Sequence, residues 1–218
     1  MTPYQRNLLL AIAAVAALSF LRAPYPRDMI LQHIPTAVVL LGWPFLARRS
    51  PVSNTAATHL AAFLLLHVLG ARYLYSNVPY DLWTRLLFQI DLTAAFSLRR
   101  NHFDRLVHFA FGLLFVRPVW EILVRHFRVP RRFAYYGAFE FVLAWSMLYE
   151  LFEWGLTLVL APESADAYNG QQGDLWDAQK DMAFAVVGAL LALAVLFLTR
   201  PWRAIPPLVP SSGGQAPV

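Results

Sequence analysis

Six stretches of this chain are apolar over most of their length, at residues 7–21, 29–47, 58–75, 106–124, 133–160 and 182–199. That is more apolar length than a domain of 218 residues can hide from water. About 20 mostly apolar residues in a helix cross the hydrocarbon layer of a bilayer. No water in that layer can bond exposed peptide groups, so runs of this kind span as helices. The chain is 58% hydrophobic and 14% charged, where a soluble domain carries roughly a quarter charged residues. The predicted fold is therefore all-α: a polytopic transmembrane helix bundle of about six spans in a single domain over residues 1–200.

Several features refine this reading. The first run is short, but Arg6 and Arg22 fence it and can reach polar headgroups from just inside the lipid. Its basic start and Ala-rich body also fit a signal peptide. Residues 81–98 carry Leu82, Leu86, Ile90 and Ala94 at helical spacing, which suits an amphipathic helix lying on the membrane surface rather than a seventh span. Residues 201–218 are rich in Pro, Ser and Gly and read as a disordered cytoplasmic tail.

Charge sets the expected orientation. Arg6, Arg48 and Arg49, the group Arg125, Arg128, Arg131 and Arg132, and Arg200 and Arg203 all fall on one side of an up-and-down six-helix scheme. Positive residues in short loops stay in the cytoplasm, so both termini are expected there. The opposite loop at 161–181 holds Glu163, Asp166, Asp174, Asp177 and Asp181 against Lys180 alone. One outer loop dissents: residues 76–105 contain Arg85, Arg99, Arg100 and Arg105. The net charge of +5 reflects arginines that flank apolar runs, so membrane lipids and not nucleic acid are the expected partner. With no cysteine in the chain, disulfides and thiolate metal sites are excluded.

Ionisable groups inside a membrane are expensive and need a partner or a purpose. In this scheme Asp104, His108, Glu150, Glu153, Asp174, Asp177 and Asp181 gather near the outer face, with His67 near the middle of the third span and Tyr73 above it. Asp104 and His108 are four apart, Glu150 and Glu153 three apart, and each pair shares a helix face. Two like charges on one helix repel unless a proton or a cation sits between them. Carboxylates with imidazole suit a divalent metal ion. The expected ligands are His108, Glu150, Glu153, Asp177 and Asp181. Asp104 would orient His108 as its outer partner; Asp174 and Asp177 are the catalytic candidates; His67, Tyr73 and Arg105 would contact substrate. Capping is the plainer alternative for Asp174 and Asp177, since an acidic residue at a helix start satisfies free N–H groups. Arg117 and Glu121, also four apart, are expected to pair with each other.

No metal-binding signature accompanies these residues. There is no His-Glu-x-x-His, the fifth run reads Glu-x-x-Glu rather than Glu-x-x-His, and residues 166–177 put Tyr168 and Gly170 where a calcium loop needs ligands. Three functional classes stay open: a metal-dependent hydrolase or transferase acting on a lipid headgroup or small polar substrate, a small-molecule or proton-coupled transporter, and a non-catalytic lipid- or partner-binding protein. Against the transporter, no internal repeat is visible.

Four segments in order, HVLGARYLY from His67, NHFDRLVHFAFG from Asn101, YELFEW from Tyr149 and GQQGDLWDAQKDM from Gly170, resemble the YjdF-type inner-membrane proteins of bacteria, a family grouped as a domain of unknown function. The resemblance runs from about the third span to the sixth. It implies a multi-pass membrane protein and no particular reaction. The matching positions include His67, Gly70, Tyr73, Asp104, Arg105, His108, Gly112, Glu150, Glu153, Gly173, Asp174, Asp177, Gln179 and Asp181.

Overall fold

The computed structural model describes residues 1–49, 52–159 and 169–199. The tail at 201–218 and the acidic residues Glu163 and Asp166 lie outside the described residues. Among the described residues every regular element is a helix: α1 Pro3–Ser19, α2 Asp28–Gln32, α3 Ile34–Arg49, α4 Asn54–Arg72, α5 Tyr80–Phe88, α6 Leu92–Ala95, α7 Phe103–Arg125, α8 Arg131–Val159 and α9 Asp177–Thr199. Five stretches are long and apolar enough to cross a membrane, with α2 and α3 counted as one. At 17 residues, α1 is a little short of a full span.

Local chemistry sets the ends. Thr2 and Gln5 form a reciprocal capping box at the start of α1, with Pro3 in its first turn, where a missing N–H costs nothing. Ser53 caps α4 by accepting from Ala56 N. The surface helix expected over 81–98 is two pieces. Gln89, at φ +57°, ends α5 in a left-handed conformation, and Asp91 starts α6 by accepting from Ala94 N. Asp81 ties the pieces together by accepting from Thr93 N at 2.9 Å and from its hydroxyl at 2.5 Å.

The helices alternate in direction. Thr2 meets Asn54 and Tyr4 meets Thr58 where α1 and α4 begin, and Arg72 at the end of α4 donates to carbonyls at the end of α1, including Leu21 O at 3.1 Å. These two helices are therefore parallel. α7 runs against them: Glu121 accepts from Ser53 N at 2.5 Å and from its hydroxyl at 2.7 Å, while Phe103 packs with Tyr75 beyond the far end of α4. α8 is antiparallel to α7, with Tyr135 against Trp120 at one end and Tyr149 against His108 at the other. α9 is parallel to α7. Glu121 pairs with Arg125 at 2.8 Å and not with Arg117, because its other oxygen and its depth are taken up by the Ser53 cap.

The core seam lies between α7, α8 and α9. Val116, Trp120, Val142, Ala138, Ala134, Ala185, Ala189 and Leu196 are buried there. α7 and α9 approach backbone to backbone. A Cβ on Gly112 would overlap the Ala185 carbonyl, and one on Gly188 would overlap the carbonyl of Phe109. Lipid tails give no hydrophobic drive for two apolar helices to meet, so close packing through small residues supplies the attraction.

Candidate functional site

One end of this seam is polar. His108 stands one turn above Gly112 on α7, Asp181 one turn above Ala185 on α9, and Glu150 two turns above Val142 on α8. Asp104, His108, Glu150, Glu153 and Asp181 are all buried. His108 Nε2 lies 3.4 Å from Glu150 Oε1 and 3.9 Å from Asp104 Oδ1. Asp104, His108 and Asp181 each offer a ligand-type atom, all within 4.8 Å of one another. Glu153 completes the group from α8. It feels the charges of Asp104, Glu150 and Asp181 and takes a hydrogen bond from Tyr149. Glu150 Oε1 and Asp181 Oδ1 are buried without a hydrogen-bond partner among the described residues, which is costly for a carboxylate oxygen.

A second layer covers the first and has the opposite balance. Arg105 Nη2 contacts Asp174 Oδ2 at 2.5 Å and Asp177 Oδ1 at 3.3 Å. Arg100 pairs with Asp177 and also donates to Gln171 O at 2.8 Å and Gly170 O at 2.9 Å. Lys180 holds Asp174 at 2.6 Å. This layer is a staple. It fastens the 170–176 loop to the start of α7, and Asn169 pins the loop's beginning to the Glu153 carbonyl at 3.1 Å. Gly170, at φ +65° and against Ser76 Oγ, has space only for hydrogen.

The electrostatics of the loop are settled by these contacts. Hydrogen bonds from Lys180, Trp176 N–H and Arg105 hold the Asp174 carboxyl well below the usual carboxylate range, so it stays ionised. Burial, with Arg105 and Arg100 nearby, lowers the His102 pKa. The neutral ring fits its position, where Nδ1 can accept from Arg105 Nη1 at 3.3 Å.

The residues singled out from sequence therefore separate. His108, Glu150, Glu153 and Asp181 come together. Asp104, expected behind His108, is in the group itself. Asp177 is turned to Arg100 and Arg105, and Asp174 to Arg105 and Lys180, so neither faces His108 as a ligand or free base. His67 is elsewhere: its Nδ1 bonds the Tyr75 hydroxyl. Tyr73 packs edge-on against Trp83. Arg105 lies between the two layers, with Nε 3.8 Å from Asp181 Oδ1.

A profile of a protein family described as "Predicted membrane protein (DUF2238)" matches residues 4–201. The chain belongs to this family. "Inner membrane protein YjdF" of Escherichia coli (strain K12) is 33% identical over 172 residues, which cover 78% of this chain and 77% of that protein. No solved structure matches the chain. The likeness to YjdF thus extends beyond the four motifs, and the family match runs over nearly the whole length. In this DUF2238 protein three of those motifs supply the cluster and its cover: α7 from Asn101, α8 from Tyr149 and the loop entering α9 from Gly170.

Sequence reasoning missed Arg100, which appears there only as one of the dissenting outer arginines. The signal was present. Arg85 pairs with Asp91 at 2.9 Å, and Arg100 and Arg105 pair with the acidic loop, so three of the four dissenting charges are neutralised where they stand. Asn101 opens one of the four motifs and Gln172 lies in another, but nothing in the sequence could show that they clasp each other through Asn101 N and O.

Proposed function

We propose that this chain is a multi-pass inner-membrane protein whose Asp104, His108, Glu150 and Asp181 bind a divalent metal ion, and that it is a metal-dependent hydrolase or transferase acting on a lipid headgroup or other small polar substrate. Both termini lie in the cytoplasm in this reading, and the cluster lies toward the outer leaflet beneath its cover. The observation that carries the proposal is the charge imbalance of the buried layer. Asp104, Glu150 and Asp181 lie around one imidazole with Glu153 in charge range, and the cations that reach this layer, Arg100 and Arg105, are already engaged with Asp177 and Asp174 above. Intramembrane charges are retained only where something neutralises them. With metal–oxygen and metal–nitrogen bonds near 2.1 Å, tetrahedral ligands stand about 3.4 Å apart. The His108–Glu150 and His108–Asp104 separations of 3.4 and 3.9 Å suit such a shell after small movements. A metal would lower the pKa of a bound water and supply a nucleophile near neutral pH, with Glu153, the fourth carboxylate in charge range of Asp104, Glu150 and Asp181, as the candidate base.

The seam below the cluster supports enzyme chemistry over transport. Below His108 the buried face of α7 continues through Gly112, Val116 and Trp120, packed on Ala185, Ala189 and Val142. Glu140 is exposed on the outside of α8 and bonds Tyr136. A transport path would need a polar file across that apolar plug. The test is release of headgroup from vesicles of bacterial lipid containing the purified protein. Turnover should need added Zn, Mn or Mg, stop with chelator, and fall at least a hundredfold in His108→Ala. Metal-independent turnover, or flux of a small ion with no turnover, would overturn the reading.

A further inference from the structure

The cover over the cluster has a surplus of positive charge, and it ends in exposed apolar side chains. Arg100, Arg105 and Lys180 face Asp174 and Asp177, three cations against two carboxylates. Arg105 Nη2 and Lys180 Nζ converge on a single oxygen, Asp174 Oδ2, at 2.5 and 2.6 Å. Two cations that share one anionic oxygen form a seat a phosphate oxygen fits equally well, since guanidinium and ammonium both bind phosphate as strongly as carboxylate. Asp174 is the outermost acid of the cover. It stands on a loop where Gln172 and Gly173 both take positive φ, next to Leu175, which is 93% exposed, and Trp176, which is 64% exposed. Large apolar side chains thrown out at the end of a membrane bundle belong in the leaflet interface.

We propose that Arg105 and Lys180 form the anion seat for a phosphate-bearing lipid headgroup, that Asp174 fills this seat at rest, and that Leu175 and Trp176 anchor the seat in the leaflet from which the lipid comes. The inference rests on the proposed hydrolase or transferase reading and names its substrate class. Arg105 also reaches toward Asp181, with Nε 3.8 Å from Oδ1. It therefore links an anion held in the cover to a cation held in the cluster below, an arrangement suited to a phosphate ester.

The test uses the purified full-length protein in detergent with EDTA present, titrated with phosphatidic acid, with diacylglycerol (the same tails without the phosphate) or with inorganic phosphate, and followed by thermal melting. Phosphatidic acid should raise the melting temperature and diacylglycerol should not. Asp174→Asn removes the internal competitor and should tighten phosphatidic acid binding roughly tenfold, while Lys180→Gln should weaken it by a similar factor. Leu175→Ser should weaken phosphatidic acid binding and leave inorganic phosphate unchanged. Equal stabilisation by both lipids, or an Asp174→Asn variant that binds phosphatidic acid no tighter than wild type, would overturn the seat. An inorganic phosphate affinity equal to that of phosphatidic acid, with Leu175→Ser silent, would overturn the lipid source. Metal content measured on parallel samples of the same variants, freed of EDTA, reloaded with Zn, Mn or Mg and cleared of excess ion, keeps the two readings apart. Bound metal with no gain in Asp174→Asn sinks this inference alone, and the gain without bound metal sinks the metal reading alone.

Discussion

Gly112→Ala tests whether the α7–α9 contact holds the cluster in register. The added Cβ would overlap the Ala185 carbonyl oxygen and lie 2.7 Å from Ala189 N. Both are backbone atoms of α9, so no side-chain rotation can relieve the contact, and the two helices must part by about 1 Å to regain van der Waals distance. Overpacking of this kind costs about 3 kcal/mol at the upper end of its range, and alanine's better helix propensity returns about 1 kcal/mol. A net loss near 2 kcal/mol corresponds to a melting temperature lower by roughly 4–8 °C for a chain of this size. His108 and Asp181 sit one turn above Gly112 and Ala185, so the same displacement separates them. Metal retention should therefore fall even in protein that remains folded. Gly42→Ala and Gly155→Ala serve as controls, because an added Cβ there meets nothing within 4 Å; both should match or exceed wild-type stability. Thermal melting of the three variants in one detergent, with metal content measured in parallel, decides the matter. A Gly112→Ala protein as stable as its controls and with full metal content would refute the close-contact account.

Three further outcomes follow from the geometry. Glu121→Ala leaves Arg125 and the Ser53 N–H without their buried acceptor and should cost about 3 kcal/mol, read by chemical or thermal unfolding, whereas Arg117→Ala should cost far less. Asp174 has its pKa depressed by Lys180 and its other donors, so the stability it contributes is full above the ordinary carboxylate value of about 4 and is lost as pH falls below it; the lowered pKa of His102 adds a loss that begins as pH falls through about 6.5. Melting temperature against pH should therefore decline on the acid side, and Asp174→Asn with His102→Gln should flatten that decline. Finally, the chain has no cysteine, so a single Leu86→Cys or Leu175→Cys can carry an environment-sensitive dye without background. In vesicles both labels should be quenched by brominated lipid, and quenching by aqueous iodide instead would place α5 and the loop in water.

The spans were legible because run length and the need to satisfy backbone groups in lipid leave almost no alternative. The paired spacings of Asp104 with His108 and of Glu150 with Glu153 were legible for a similar reason, since helical periodicity puts each pair on one face. The sequence could not assign partners between segments. Asp177 and Asp181 are four apart on one helix and look equivalent, yet Arg100 takes one while the other turns down toward His108. The same limit applies to Glu121. Arg117 and Arg125 are each four residues away from it, and only the position of Ser53, far off in the chain, makes Arg125 the partner. His67 and Tyr73 share one half of the bundle with the cluster but belong to α4 and the turn after it, whose contacts run to Tyr75 and Trp83. Depth in the membrane can be read from a topology, whereas rotation about a helix axis is fixed by packing. The break at Gln89 was hidden because a glutamine in a left-handed conformation carries no signal comparable to a glycine.

The central claim is that Asp104, His108, Glu150 and Asp181 hold a divalent metal. The most direct measurement is elemental analysis of purified protein stripped with chelator, reloaded with Zn, Mn or Mg, and freed of excess ion. Wild type and Asp174→Asn should each retain about one ion per chain, while His108→Ala and Asp181→Asn, folded by their melting curves, should retain almost none. No retained ion in folded wild type, or an ion that persists in both His108→Ala and Asp181→Asn, would contradict it.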